Sequence, residues 1–125
     1  MIIKESAENY LESILMIKNQ KGFVRSIDVA NYLGVSKPSV SVAMKNFREE
    51  GYITVDENGG LGLTEKGLNI AMSIYERHEA ISKALIALGV SEETALIDSC
   101  KIEHVISEET FSRLKDFLKS KNIDF

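Results

Sequence analysis

The chain has 125 residues, of which 44% are hydrophobic and 27% are charged, a globular composition that predicts one compact unit or two very small ones. No apolar run is long enough to span a membrane, the N-terminus turns polar too early for a signal peptide, and a single cysteine excludes a disulfide framework, so we expect a cytoplasmic protein. The net charge of −4 argues against indiscriminate nucleic-acid binding, but it allows a local basic face.

Apolar spacing, serine caps and glycines predict three helices and a hairpin in the first half of the chain. Ser26 and Ser36 are good helix caps, and Gly34 supplies a turn between the helices that they begin. Pro38 falls in a first helical turn, where its missing N–H costs nothing. The predicted order is helices over residues 5–20, 26–33 and 36–50, then strands over residues 52–55 and 61–63.

Three further helices are predicted after the hairpin. Thr64 caps a long helix that carries apolar residues at helical spacing and ends at Gly89. The tetrapeptide SEET then occurs twice, at residues 91–94 and 107–110, and each copy offers a serine cap followed by acids in the first helical turn.

This order of elements is typical of a winged helix-turn-helix followed by a helical domain. The fold class is therefore mainly α, with the winged helix-turn-helix over residues 1–66 and the helical domain over residues 67–125. The second helix of a helix-turn-helix lies in the major groove of DNA, where hydroxyls bond bases or phosphates and lysines neutralise phosphates. The candidate DNA contacts are Arg25, Ser36, Lys37, Pro38, Ser39, Ser41, Val42 and Lys45.

The distribution of charge favours DNA as the partner. Residues 21–50 hold 5 basic and 3 acidic residues, a balance of +2, whereas residues 67–125 hold 7 basic and 10 acidic residues, a balance of −3. A three-helix unit that binds protein through its outer face is the alternative. The hairpin directly after the third helix favours DNA over that alternative.

A candidate metal site begins in the segment DSCKIEH. Its residues Cys100, Glu103 and His104 stand at i, i+3 and i+4, so we expect them on one face of one helix. Thiolate, carboxylate and imidazole together suit a transition ion such as Fe²⁺, Co²⁺, Ni²⁺ or Zn²⁺. Three ligands from one helix rarely complete a coordination shell, so further ligands are expected from other helices.

His78, Asn9 and Glu12 are candidates for those further ligands. His78 lies in the apolar stripe of the long helix, and Asn9 and Glu12 share a face of the first helix. Each ligand has a commonplace alternative, since a lone cysteine is often a small buried hydrophobe and a histidine in an apolar stripe is often a satisfied core residue. The joint placement of the cysteine and both histidines favours a metal.

At ENYLESI, SKPSVS, GLGLTEKG, YERHE and above all CKIEHVISEET, the chain resembles the metal-dependent repressors typified by the diphtheria toxin repressor and the manganese transport regulator. The resemblance covers nearly the whole chain. It implies a winged-helix domain, a helical dimerisation domain, and a homodimer whose binding to a double-stranded DNA operator is switched on by Fe²⁺ or Mn²⁺, with Co²⁺, Ni²⁺ or Zn²⁺ as substitutes. Such proteins usually repress metal-uptake genes.

The resemblance also implies roles for individual residues. It makes Cys100, Glu103 and His104 metal ligands, and it places His78 and Glu12 at positions that ligate metal in some members. The apolar last helix is the expected dimer contact, through Phe111, Leu114, Phe117 and Leu118. At a length of 125 residues, the chain is not expected to carry the SH3-like domain of larger members.

Four positions bear on which ion the chain binds. Asn9 stands where members carry methionine or aspartate. Ser82 and Leu96 stand where the iron-responsive type has a glutamate and a histidine ligand, so the second site of that type is not expected in the same form. Cys100 resembles the iron-responsive type, because manganese-responsive members tend to have glutamate there. The cognate ion is therefore open.

Three other functions remain alternatives. A redox-sensing regulator would use Cys100 beside His104 as a reactive thiolate. A metal-independent winged-helix regulator is favoured by Asn9, and a metal-dependent hydrolase would use the same three ligands and a water molecule. No separate acid–base group supports hydrolysis, so we do not expect an enzyme. We also expect neither a membrane nor an organic small molecule as a partner.

Overall fold

The computed structural model describes residues 5–125 and confirms the predicted mainly α architecture. The elements in chain order are α1 (Glu5–Lys21), α2 (Ser26–Leu33), α3 (Lys37–Glu49), β1 (Ile53–Val55), β2 (Leu61–Leu63), α4 (Glu65–Ala87), α5 (Glu92–Ile102) and α6 (Glu108–Ser120). Two compact units divide between Met72 and Ser73, inside α4, whereas the boundary predicted from the sequence was residue 66. No helix in the described part of the chain is long and apolar enough to cross a membrane.

The core of the first unit fixes the face that α3 presents to solvent. Val40, Met44 and Phe47 are buried, as their spacing predicts. The Phe47 ring makes edge-to-face contacts with Tyr10 at 5.9 Å and with Tyr52 at 6.3 Å between centroids. Such contacts stabilise one orientation of the helix, so the opposite face of α3 stays exposed.

The helix caps follow the sequence pattern with one exception. Ser36 accepts a hydrogen bond from the Ser39 amide at 3.2 Å, as expected for a cap. The prediction that Ser26 caps α2 is wrong, because the cap residue is Arg25 and Ser26 is already helical. The Arg25 amide donates to Asp28 Oδ2 at 2.9 Å. A carboxylate in the first turn therefore satisfies this helix end in place of the serine.

The hairpin is antiparallel and is extended by a third segment. Its register pairs Ile53 with Leu63 and Val55 with Leu61. The Leu61 amide also donates to the Val24 carbonyl at 2.8 Å, and residue 25 bridges residue 60. This pairing attaches the hairpin to the segment before α2, an arrangement that the short run of residues 23–25 did not predict.

The second unit has its own small core around α6. Phe111 and Leu118 are buried there with Ala80 of α4. These two residues were predicted dimer contacts, but their side chains are used within the chain and have little surface left for a partner. Phe117 is 50% exposed, and Leu114 is partly buried. A helix of this length presents more than one face, so apolar spacing alone did not distinguish inward from outward residues.

Candidate metal centre and nucleic-acid interface

Three side chains of the second unit converge on one point. His78 comes from α4, Cys100 from the last turn of α5, and Glu103 from the residue that follows that helix. One ligand atom from each lies within 4.8 Å of the others. His78 Nδ1 is 2.8 Å from Glu103 Oε2 and 3.9 Å from Cys100 Sγ. The structure thus brings the imidazole of His78 to a thiol and a carboxylate that lie 22 and 25 positions later in the chain.

Glu103 is a buried carboxylate with one oxygen that lacks a hydrogen bond among the described residues. Its side chain is 0% exposed, and its Oε1 accepts no hydrogen bond from any residue that the structure describes. His104 Nε2 lies 3.4 Å from this oxygen, and the His104 side chain is 1% exposed. A buried carboxylate is costly unless hydrogen bonds or a cation compensate it. This oxygen of Glu103 could therefore bind a cation.

The surroundings of His78 favour its protonated form. Hydrogen bonding to Cys100, and then to Glu103, raises the pKa of His78 to about 10, although burial opposes the shift. Both partners stabilise a positive charge on the ring. A metal ion that binds Nδ1 must displace this proton, and it then takes the place of the positive charge that the two partners favour.

A pair of serine hydroxyls completes the surroundings of His78. Ser99 Oγ lies 3.2 Å from His78 Nδ1, receives a hydrogen bond from Ser82 Oγ at 2.8 Å and donates to the Leu96 carbonyl at 3.0 Å. Ser82 and Ser99 are both buried. Ser99 was not a candidate in the sequence. The available signal for a contact with His78 was the position of Ser99 one residue before Cys100, together with that of Ser82 one turn after His78.

The remaining predicted ligands lie in different places. The prediction of one helix carrying all three ligands is wrong, because α5 ends at Ile102 and His104 lies in the following turn. His104 is not part of the group that joins His78, Cys100 and Glu103. It approaches the opposite oxygen of Glu103 instead. Asn9 and Glu12 are partly buried on α1, which belongs to the first compact unit.

The donor set fits a divalent transition ion. Imidazole and thiolate are ligands of Fe²⁺, Co²⁺, Ni²⁺ and Zn²⁺, and carboxylate oxygen suits Mn²⁺ as well. Cys100 is exposed, so an ion can reach His78, Cys100 and Glu103 from solvent on that side. Glu103 is fully buried and lies on the inner side of the three. The Glu103 Oε1 atom, which accepts no hydrogen bond from the described residues, could coordinate such an ion.

The outer face of α3 forms the candidate nucleic-acid interface in the first unit. Its predicted contacts are all exposed: Arg25, Ser36, Lys37, Pro38, Ser39, Ser41, Val42 and Lys45. The Ser36 hydroxyl is already engaged, since it caps α3 and donates to Ser39 Oγ at 2.8 Å. Ser36 therefore has a structural role at the start of α3, while the side chains of Lys37, Ser41 and Lys45 are exposed.

A groove beside α3 contains one further exposed basic residue, Arg48. It runs toward the hairpin and is lined by Ser26, Ser41, Met44, Lys45, Arg48, Glu49 and Val55. Arg48 was counted in the local charge balance but was not predicted to contact DNA. Its position one turn after Lys45 on the exposed side was the signal that could have identified it.

The comparisons with known proteins agree with these two regions. The family model described as iron dependent repressor, N-terminal DNA binding domain, matches residues 3–61. The model described as iron dependent repressor, metal binding and dimerisation domain, matches residues 64–124. Together the two models span nearly the entire chain.

Curated and solved relatives cover most of the chain. An uncharacterized HTH-type transcriptional regulator of Methanocaldococcus jannaschii, MJ0568, is 34% identical over 119 residues, which is 94% of this chain and 95% of the relative. The HTH-type transcriptional regulator MntR of Geobacillus kaustophilus is 33% identical over 91% of this chain and 81% of its own. The solved manganese regulator SloR has a TM-score of 0.78 and 28% identity over 95% of this chain, which spans 55% of the SloR chain.

Proposed function

The chain belongs to the iron-dependent repressor family, and we propose that Fe²⁺ or Mn²⁺ bound at His78, Cys100 and Glu103 switches on its binding to operator DNA. It is a metal-dependent, DNA-binding transcription regulator that acts as a homodimer. The observation that carries the proposed site is Glu103, a fully buried carboxylate with one oxygen that accepts no hydrogen bond from the described residues. We further propose repression of metal-uptake genes in the cytoplasm as its role, and no catalytic activity.

The choice of ion follows from the ligands. A bound divalent ion supplies the positive charge that balances the Glu103 carboxylate and the Cys100 thiolate. Cysteine favours Fe²⁺ over Mn²⁺, because thiolate is a softer ligand than the carboxylate that manganese prefers. The likeness to the manganese regulator SloR keeps Mn²⁺ as the other candidate. Asn9, Glu12 and His104 remain predicted ligands.

Metal and DNA must be coupled through an equilibrium between arrangements of the protein. The α3 face belongs to the first compact unit, and His78, Cys100 and Glu103 belong to the second. Metal binding increases DNA affinity only if the ion binds the DNA-competent arrangement more tightly than the others. By reciprocity, operator DNA should then increase the affinity for the metal.

The first test is an anaerobic titration of chelator-stripped protein with Fe²⁺, Mn²⁺, Co²⁺ and Zn²⁺. We expect saturable binding in the wild type and a loss of affinity in Cys100→Ala, with metal-dependent operator binding lost in parallel and the helix content preserved. The order of affinities among the ions would distinguish an iron sensor from a manganese sensor.

Two results would count against this function. Metal-dependent operator binding that persists unchanged in Cys100→Ala would remove Cys100 from the site. Loss of operator binding on treatment of metal-free protein with peroxide would instead support a redox regulator, in which the thiolate of Cys100 is the sensor.

A further inference from the structure

We propose that Arg77 is a positioning residue of the metal centre, which holds the turn that carries Glu103 and His104 in the geometry needed for ligation. This inference rests on the proposed function of the site. Arg77 immediately precedes His78 on α4, so one short stretch of one helix would both supply a ligand and fix the turn that carries Glu103 and His104.

The contacts of Arg77 concentrate on that turn. Its Nη1 donates to the Ile106 carbonyl at 2.8 Å and to the Glu103 carbonyl at 3.3 Å. Its Nη2 pairs with Glu108 Oε1 at the start of α6. The Arg77 side chain is only 11% exposed. One guanidinium therefore binds both ends of the segment 103–106 and the helix that follows it.

The turn over residues 103–106 needs a hydrogen-bond donor because it directly follows the end of α5 at Ile102. The last carbonyls of a helix have no partner inside the helix and are stabilised by a nearby cation. Beyond Ile102 the amides of residues 103, 105 and 106 bond back to α5, which leaves the carbonyls of Glu103 and Ile106 for Arg77. A planar guanidinium can donate to several acceptors at fixed angles, which an ammonium group cannot reproduce.

The link to ligation is the backbone of Glu103 itself. Arg77 binds the main-chain carbonyl of the residue whose side chain reaches His78 Nδ1 and faces His104. Removing hydrogen bonds that orient metal ligands typically lowers metal affinity about 10- to 100-fold. Loss of the Arg77 contacts should therefore act on metal affinity beyond any effect on stability.

A purely structural role is the competing explanation. The Arg77 guanidinium lies 5.2 Å from the centroid of the Phe111 ring, in the core of the second unit. Lys115 provides a matched control for this contribution. Its Nζ lies 4.8 Å from the same ring and 3.0 Å from Glu76 Oε1 on α4, so it also joins α6 to α4 with a cation over Phe111. Its ion pair is with α4, not with the turn.

The experiment compares Arg77→Gln, Arg77→Lys and Lys115→Gln in the full chain. For each variant, Co²⁺ affinity and the Co²⁺ ligand-field spectrum would be measured anaerobically, with the thermal midpoint of the metal-free protein recorded separately. We expect a Co²⁺ affinity about 10- to 100-fold lower in Arg77→Gln, an altered spectrum, and a smaller loss in Arg77→Lys. In Lys115→Gln the thermal midpoint should fall while affinity and spectrum stay at the wild-type values.

The possible failures are distinguishable. If Arg77→Gln and Arg77→Lys both lower the thermal midpoint but bind Co²⁺ as the wild type does, Arg77 is structural and the inference is wrong while the proposed function stands. If the wild type itself binds no Co²⁺ saturably, the proposed metal site is wrong and the inference falls with it. Should Arg77→Gln not fold, Arg77→Lys decides the question.

Discussion

At His78, one ring nitrogen faces a thiol, a carboxylate and a serine hydroxyl, all within 3.9 Å. Each of these groups can accept a hydrogen bond, so together they favour a positive charge at Nδ1. A proton meets this preference in the metal-free protein, and a metal ion would meet it in the metal-bound protein. The two cations therefore compete for the same atom.

The raised pKa of His78 predicts how stability depends on pH. Because the pKa is about 10 in the folded protein against an ordinary 6.5, protonated His78 stabilises the fold fully below about pH 6.5, and this contribution declines as pH rises and is lost above about 10. Urea unfolding of chelator-treated protein should therefore show a loss of stability between these pH values that His78→Gln lacks. Parallel pH profiles for the two proteins would contradict this assignment.

At the scale of single elements, the start of α4 depends on close contact with the hairpin. A Cβ atom added at Gly67 would lie 2.1 Å from the carbonyl oxygen of Tyr52. That oxygen already accepts a hydrogen bond from the Thr64 amide at 3.1 Å, so the Tyr52 carbonyl cannot move away from Gly67 without breaking this bond. The glycine is required by packing between two elements, although glycine is a poor helix former.

Gly67→Ala should therefore destabilise the protein by about 1–3 kcal/mol, the usual cost of overpacking. Helix propensity acts in the opposite direction, since alanine is preferred to glycine by about 1 kcal/mol in a helix interior. Gly62→Ala is the matched control, because its Cβ would meet the side-chain Oγ1 of Thr54 at 2.6 Å, and that side chain can rotate. Chemical denaturation would measure both, and a stabilised Gly67→Ala would show that the contact yields easily.

At the scale of the whole molecule, the net charge of −4 has the wrong sign for DNA binding. The exposed side of α3 and the adjoining groove nevertheless present Lys37, Lys45 and Arg48. Binding to DNA phosphates depends on such local cations and weakens as salt rises. The acidic remainder of the surface disfavours other orientations on DNA, so charge should favour the approach of the α3 face.

Lys37→Ala should weaken binding to operator and non-operator DNA about equally. It should also reduce the slope of log affinity against log salt concentration by about one. Metal affinity without DNA should not change, because Lys37 lies in the first unit and His78, Cys100 and Glu103 lie in the second. Fluorescence anisotropy over a range of salt concentrations would measure the first quantity, and metal titration the second. A fall in intrinsic metal affinity in Lys37→Ala would contradict this separation of roles.

Local signals were sufficient for the order of the elements and for much of the site. Ser36 and the two SEET serines cap their helices as predicted, because a cap depends on residues three positions away. The period of α3 identified Val40, Met44 and Phe47 as core residues. The rarity of cysteine and histidine, together with helix spacing, brought Cys100, Glu103 and His78 into one hypothesis.

Only the tertiary structure decided features that depend on residues distant in the chain. The end of α5 at Ile102, and with it the different placement of His104, accompanies contacts that Arg77 makes 26 and 29 positions away. Phe111 and Leu118 face inward because α4 lies against that side of α6 and not the other. Capping and periodicity act within a few residues, whereas burial and the partners of a buried charge are set by which elements pack together. The sequence by itself therefore determined the helices and the types of ligand, but not the final geometry of the metal centre.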